Sequence, residues 1–200
     1  MKDLDTMSDQ LASDGEIEQL VASLENDATD DLEALDGLLQ RFPDDPRLHF
    51  MRGSLLAGQS EHIKAHAALS RAVELAPEYE IARYQLGFFE LTSGEADKAL
   101  STWGPLLRAH KDNYLRVFVE GMVHVIRDEF SDAFAAFERG IALNNENLPM
   151  NNDIQLLVRE LKAKINETPN TGSDDDDDDP GATSAASLLL GQLGGNRTTH

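Results

Sequence analysis

The chain has 200 residues, 40% of them hydrophobic, and a formal net charge of −20 at pH 7. This length suits one domain with tails, and no stretch approaches the roughly 18 uninterrupted apolar residues that a membrane span needs. Such an acidic balance disfavours binding to nucleic acid, whose phosphates need a basic surface, and an anionic membrane surface would repel it too. We therefore expect neither nucleic acid nor membrane as a partner.

The acidic residues concentrate at the two ends of the chain. Residues 1–45 hold 14 acidic and 2 basic side chains, residues 168–200 hold 6 and 1, and residues 46–167 hold 17 and 14. The absence of cysteine excludes disulfides, thiol catalysis and thiolate metal sites. The acidic first residues lack the apolar run of a secretory signal, so a cytoplasmic location is expected.

The first part of the chain divides into a lead and two helices. Residues 1–15 are polar and aperiodic and are predicted to be a flexible lead. Residues 16–45 contain two runs of apolar residues at helical spacing, which predict a degenerate N-terminal helix pair. Ser13 or Asp14 suits the cap of the first helix, and Pro43 ends the second.

From residue 46 to 147 the sequence repeats with a step of 34 residues. Aligned windows place a small and a bulky residue in fixed columns, which predicts helical hairpins that cross closely at the small residue. The columns are Gly53, Gly87 and Gly121; Ala65, Ala99 and Ala133; and Leu69, Trp103 and Phe137. Gly104-Pro105 predicts a kink or an early break in the second helix of the middle hairpin.

This pattern resembles the tetratricopeptide repeat (TPR), a helix-turn-helix of 34 residues with small and large residues at fixed offsets. The second window matches most closely through Tyr84, Gly87, Gly94 in the turn, Ala99 and Trp103. The third window departs from the pattern because Arg127-Asp128-Glu129 contains no turn glycine. The resemblance implies an all-α fold: a short right-handed TPR superhelix of about three repeats plus end caps.

Two segments follow the repeats. Residues 148–167 carry one apolar stripe and are predicted to form a helix that caps the open end of the array. Residues 168–200 are predicted to be a disordered acidic tail with an apolar end, since six consecutive aspartates repel one another. The apolar end is either an idle terminus or a ligand in cis for the repeats, through Leu188, Leu189, Leu190 and Leu193.

The resemblance also implies that the first helix of every hairpin lines a concave inner surface. Its inward positions are mostly apolar or aromatic here, which predicts a groove for a peptide or helix segment of another protein. The alternative is that some of these side chains are buried between neighbouring hairpins. The residues predicted to contact the partner are Phe50, Tyr84, Phe88, Phe118 and Met122.

No metal site, cofactor or active site is expected. His62 and His66 are one helical turn apart, but without a third ligand we interpret them as a surface pair. His124 stands alone on a first helix, where packing accounts for it. The aspartate run lacks the alternating ligands of a calcium loop, and the chain lacks a phosphate-binding glycine loop, a serine elbow and an HExxH motif.

The sequence thus predicts a protein-interaction adaptor or assembly factor rather than an enzyme. One alternative is a secretion-type chaperone for hydrophobic client segments, because small acidic proteins with three such repeats resemble that class. The other is a structural subunit that self-associates through its exposed repeat face.

Overall fold

A computed structural model describes residues 11–24 and 31–167 of the chain. Within these residues it contains nine α-helices, one 3-10 turn at Leu106–Arg108 and no β-strand. The helices are α1 (Asp14–Leu24), α2 (Asp31–Arg41), α3 (Pro46–Gly58), α4 (His62–Leu75), α5 (Glu80–Thr92), α6 (Ala96–Trp103), α7 (Tyr114–Ile126), α8 (Phe130–Leu143) and α9 (Leu148–Glu167). The predicted all-α fold is confirmed. Residues 1–10 of the lead predicted at 1–15 and the tail predicted at 168–200 lie outside the described residues, whereas Asp14 and Gly15 of that lead belong to α1.

The helix bounds repeat with the step seen in the sequence. The first helices of the three hairpins, α3, α5 and α7, begin at residues 46, 80 and 114 and have 13 residues each. The second helices, α4, α6 and α8, begin at residues 62, 96 and 130. Both series advance by 34 residues, so the backbone has the period that the small and bulky columns predict.

In each hairpin, the glycine of the first helix lies against the bulky residue of the second helix. A Cβ atom built on Gly53 would lie 2.6 Å from Cγ of Leu69, a distance that real Cβ atoms do not show. The equivalent pairs are Gly87 with Trp103 and Gly121 with Phe137. All three bulky side chains are fully buried. The glycine column is therefore a requirement of close helix packing.

The turns inside the hairpins also repeat, although their residues differ. Ser60, Gly94 and Asp128 all have positive φ, at 61°, 84° and 58°. Aspartate tolerates this left-handed conformation better than most residues because its short polar side chain hydrogen-bonds locally. The third hairpin therefore keeps the turn of the second without its glycine.

The predicted break in the middle hairpin is confirmed. Helix α6 ends at Trp103 after only eight residues, and the 3-10 turn follows at Leu106–Arg108. Pro105 has no backbone N–H to continue the helical hydrogen bonds, so the chain leaves the helix at this point.

The chain forms two compact units that adjoin in the sequence between Leu86 and Gly87, inside α5. In the first unit, α2 packs on α3 and α3 packs on α4. Its leading helices share a core with the start of α3, made of Ala12, Leu20, Leu35 and Leu48. The helix pair at the N-terminus is thus packed on the first hairpin through its apolar stripes.

In the second unit, α7 packs on α8 and α9 packs on α8. Helix α9 buries the predicted stripe through Ile154, Leu157 and Leu161. The turn before α9 is fixed by buried Asn144, whose amide donates to the Asn147 carbonyl at 2.7 Å and to Asn151 Oδ1 at 2.9 Å. Among the described helices, none is both long and apolar enough to span a membrane.

Candidate functional site

The five residues predicted to contact a partner differ in how much surface they retain. Tyr84 is 4% exposed, and Phe118 and Met122 are fully buried. Phe50 and Phe88 are only partly buried. A partner has no access to the three buried side chains in this conformation, whereas Phe50 and Phe88 retain exposed surface for such a contact.

The burial of Phe118 has a local cause in the third hairpin. A Cβ atom on Gly140 of α8 would collide with the Phe118 ring, so this glycine leaves the space that the ring fills. The ring of Tyr114, one turn earlier on α7, meets Phe118 edge-on with 5.9 Å between the centroids. Phe118 is therefore a core residue of its own hairpin, whereas the alternative drawn from the sequence was burial between neighbouring hairpins.

Phe50 lies on α3 at a position that the TPR resemblance assigns to the inner surface. Its ring meets Tyr79 edge-on, with 5.5 Å between the centroids and 62° between the planes. Both rings are partly buried, so each offers an exposed portion. Edge-to-face pairs of this kind are a favoured aromatic geometry, and partly exposed aromatic residues are enriched in protein interfaces.

A polar clamp that the sequence did not reveal holds the N-terminal stretch against α3. Asp45 is fully buried and accepts hydrogen bonds from the backbone N–H of Ala12 at 3.0 Å and of Arg47 at 2.9 Å. The Arg47 guanidinium donates to Asp45 Oδ2 at 2.8 Å and to Asp14 Oδ1 at 3.0 Å, and it also donates to the Ala12 carbonyl. We call Asp45, Arg47 and the Ala12 backbone the Asp45 clamp.

The Asp45 clamp changes the pKa of its carboxyl group. Burial alone would raise the pKa of Asp45, but hydrogen bonds from the Arg47 side chain, the Arg47 backbone and the Ala12 backbone outweigh it, and the net shift is downward. The pKa of Arg47 is raised, chiefly by its hydrogen bond to Asp45. Both shifts favour the charged pair.

A pH-dependent loss of stability follows from the lowered pKa of Asp45. A carboxyl group whose pKa is lower in the folded state stabilises the fold above its unfolded pKa of 3.8, and this contribution is lost as the pH falls through the folded value. The difference in free energy of unfolding between the native protein and Asp45→Asn is expected to be constant above about pH 5 and to shrink below pH 3.8. Urea unfolding at stepped pH measures this difference, and a gap that widens towards low pH would contradict the assignment.

A pocket of about 440 Å³ adjoins the Asp45 clamp. It has an apolar part, formed by Leu11, Ala12 and Phe42, and a charged part. The charged part consists of Asp14, Glu16 and Arg47, and the uncharged polar Ser13 lies beside them. Ser13 and Glu16 also form a capping box at the start of α1, in which Ser13 N–H donates to Glu16 Oε2 at 2.9 Å.

A second polar group lies at the turn of the third hairpin. His124 Nδ1 is 2.6 Å from Glu129 Oε2, and donor atoms of His124, Glu129 and Asp132 all lie within 4.8 Å of one another. All three side chains are partly or fully exposed. Sequence reasoning missed this group because it considered His124 alone.

The residues predicted to act as a ligand in cis, Leu188, Leu189, Leu190 and Leu193, lie outside the described residues. The pair His62 and His66 lies on α4, where His62 is exposed and His66 partly buried.

The fold defines this chain as an all-α helical-repeat protein. It is similar to the structure of MamA from position 41 to its end from Desulfovibrio magneticus RS-1, with a TM-score of 0.52 and 17% sequence identity over 76% of this chain and 92% of that one. It is similar also to the ArsTM double mutant of MamA from RS-1, with a TM-score of 0.52 and 14% sequence identity. That match covers 76% of this chain and 96% of the other. At these identities the likeness establishes the fold alone. No protein-family model matches the sequence, and no curated protein does.

Proposed function

We propose that this chain is a TPR-type protein-binding module that takes up a segment of another protein. The 34-residue step of the helix bounds and the glycine packing in each hairpin support the TPR assignment. The observation that carries the binding role is the partly exposed aromatic pair in the first unit, formed by Phe50 of α3 and Tyr79 of the turn before α5. Aromatic side chains that are already held in place lose little entropy when a partner covers them.

The negative net charge of the chain favours a partner segment that carries basic residues. The net charge is −20, and residues 1–45, which precede α3, carry 14 acidic and only 2 basic side chains. An acidic surface speeds the approach of a basic partner and rejects an acidic one. The proposed client segment therefore combines an apolar or aromatic anchor with lysine or arginine.

The test is selection of peptides on the full-length protein from a display library, followed by anisotropy titration of the selected peptides. Phe50→Ala is expected to weaken binding at least tenfold, which corresponds to about 1.4 kcal/mol, because aromatic anchors dominate such interfaces. Phe130→Ala is the matched control, since Phe130 is also a partly buried phenylalanine but lies on a second helix. Equal affinities of the native protein and Phe50→Ala would refute the proposed contact.

The same experiment separates the other binding roles. Selected peptides that are uniformly apolar and lack basic residues would favour the chaperone role over an adaptor. A mass in sedimentation that rises with protein concentration would favour self-association. An adaptor is expected to stay at constant mass and to select peptides with mixed basic and apolar character.

A further inference from the structure

The third hairpin breaks a charge pattern that the first two hairpins share. The residue just before each second helix is a glutamate in all three hairpins: Glu61, Glu95 and Glu129. Three residues later, the first two hairpins have a lysine that pairs with this glutamate. Lys64 Nζ lies 3.1 Å from Glu61 Oε2, and Lys98 pairs with Glu95 in the same way.

In the third hairpin, the position of this lysine is taken by Asp132. The residue five positions before the glutamate also changes, from Leu56 and Glu90 to His124. The substitution of lysine by aspartate exchanges the ammonium group for a second carboxylate. The two earlier hairpins therefore place a cation beside their glutamate, whereas the third places two carboxylates and an imidazole there.

These three side chains have the chemistry of a metal-ligand set. Their donor atoms lie within 4.8 Å of one another, and His124 Nδ1 is 2.6 Å from Glu129 Oε2. A tetrahedral zinc ion with ligands about 2.1 Å away holds its ligand atoms roughly 3.4 Å apart. Small side-chain rotations that move these donor atoms by about 1 Å give this spacing. The histidine presents the lone pair of Nδ1 when its proton is on Nε2.

We propose that His124, Glu129 and Asp132 bind a first-row divalent cation of the Zn²⁺ type. The cation takes the place that a lysine ammonium holds in the first two hairpins and neutralises the two carboxylates. Imidazole is a ligand that zinc accepts and that calcium and magnesium rarely use, so the histidine selects this class of metal. Water completes the coordination, since all three side chains reach the surface.

The backbone around the site restricts how the three ligands are spaced. Asp128 is in the left-handed conformation, with φ of 58°, and the Glu129 N–H donates to the His124 carbonyl at 2.9 Å. This hydrogen bond joins the last turn of α7 to the start of α8. The site therefore brings two helix ends together, and a bound ion would connect α7 and α8 through side chains as well.

The test uses the full-length protein and Zn²⁺ titration by calorimetry, with Asp132→Lys as the principal variant. This substitution restores the glutamate–lysine pair of the first two hairpins, so it is expected to fold while it removes a ligand. The affinity of the tightest site is expected to fall at least tenfold. Asp97→Lys is the control, because it makes the same charge change at an exposed position in the first turn of α6 and should leave that affinity unchanged.

A second readout locates the ion, because the chain has other histidines and an aspartate run. Paramagnetic Co²⁺ is expected to broaden the amide signals of residues 124–132 first in nuclear magnetic resonance spectra. The proposal is overturned if no binding is detected, if Asp132→Lys binds as tightly as the native protein, or if the broadening centres on His62 and His66 or on the aspartates at 174–179.

Discussion

Replacing Asp45 with alanine is expected to lower the free energy of unfolding by about 2–3 kcal/mol, between the cost of losing a helix cap and that of breaking a buried ion pair, because Asp45 is fully buried but Arg47 is 30% exposed. The substitution removes the acceptor of the Ala12 N–H and of the Arg47 N–H, and it takes away the buried partner of the guanidinium. Arg47 keeps its contact with exposed Asp14, which limits the loss. Urea unfolding followed by circular dichroism measures the change.

Asp44→Ala is the matched control for this prediction. Asp44 is the preceding residue and pairs with Arg71 at 2.8 Å, but both side chains are largely exposed. Exposed pairs contribute about 0–1 kcal/mol, so this neighbour should have a small effect. Hydrogen exchange adds a local readout, because the Ala12 amide should exchange faster only in Asp45→Ala. Equal losses in the two variants would mean that the Asp45 clamp stabilises no more than a surface pair does.

The Asp45 clamp illustrates what sequence alone leaves undetermined. Asp45 precedes Pro46, a combination typical of a helix start, and the structure has Asp45 as the N-cap of α3. The partner of the same carboxylate, the backbone of Ala12, is 33 residues away and has no side-chain signature. A local cap is therefore predictable, whereas the tertiary contact that buries it requires the packing of α1 and α2.

The fold was more accessible to prediction because its decisive contacts are periodic and close in the sequence. Gly53 and Leu69 are 16 positions apart, and the same small and bulky pair recurs twice with a step of 34. A pair that recurs is revealed when the sequence is aligned with itself, whereas a single contact leaves no such signal. The helix bounds and the break after Trp103 follow from these columns and from Pro105.

The candidate contact surface was predicted less well, since periodicity identifies an apolar face but not what covers it. Tyr84, Phe118 and Met122 occupy the same inward positions as Phe50 and Phe88, yet they are buried. A signal for Phe118 was present in the sequence. Gly140 falls in the column of Ala72 and Leu106, and a residue without a side chain in that column leaves room for an aromatic ring of the same hairpin.

For the proposed metal-ligand set, by contrast, part of the signal was present in the sequence and was missed. The column of Glu61, Glu95 and Glu129 and the change from lysine to Asp132 are readable in the sequence alone. The nearness of His124 depends on the left-handed turn at Asp128, which reverses the chain within a few residues. A departure from the repeat that packing does not explain therefore indicates a role other than packing.

Replacing Gly53 with alanine is expected to destabilise the first unit by about 1–3 kcal/mol, the usual cost of overpacking a core. The added Cβ would lie 2.6 Å from Leu69 Cγ and 3.0 Å from the Leu69 backbone nitrogen. Rotation of the leucine side chain relieves only the first contact. Helices α3 and α4 must therefore move apart, and the buried surface of Leu69 is partly lost.

Gly37→Ala is the matched control, and it is expected to stabilise the protein. Gly37 lies in the interior of α2, in the same unit, and a Cβ there meets nothing within 4 Å. Alanine restricts the unfolded chain more than glycine does, so this variant should gain about 0.5–1 kcal/mol. Urea unfolding of both variants should thus shift the midpoint in opposite directions. A midpoint for Gly53→Ala that stays level or rises with that of Gly37→Ala would show that α3 and α4 can separate without cost, and the hairpin would then not hold Phe50 in a fixed position for a partner.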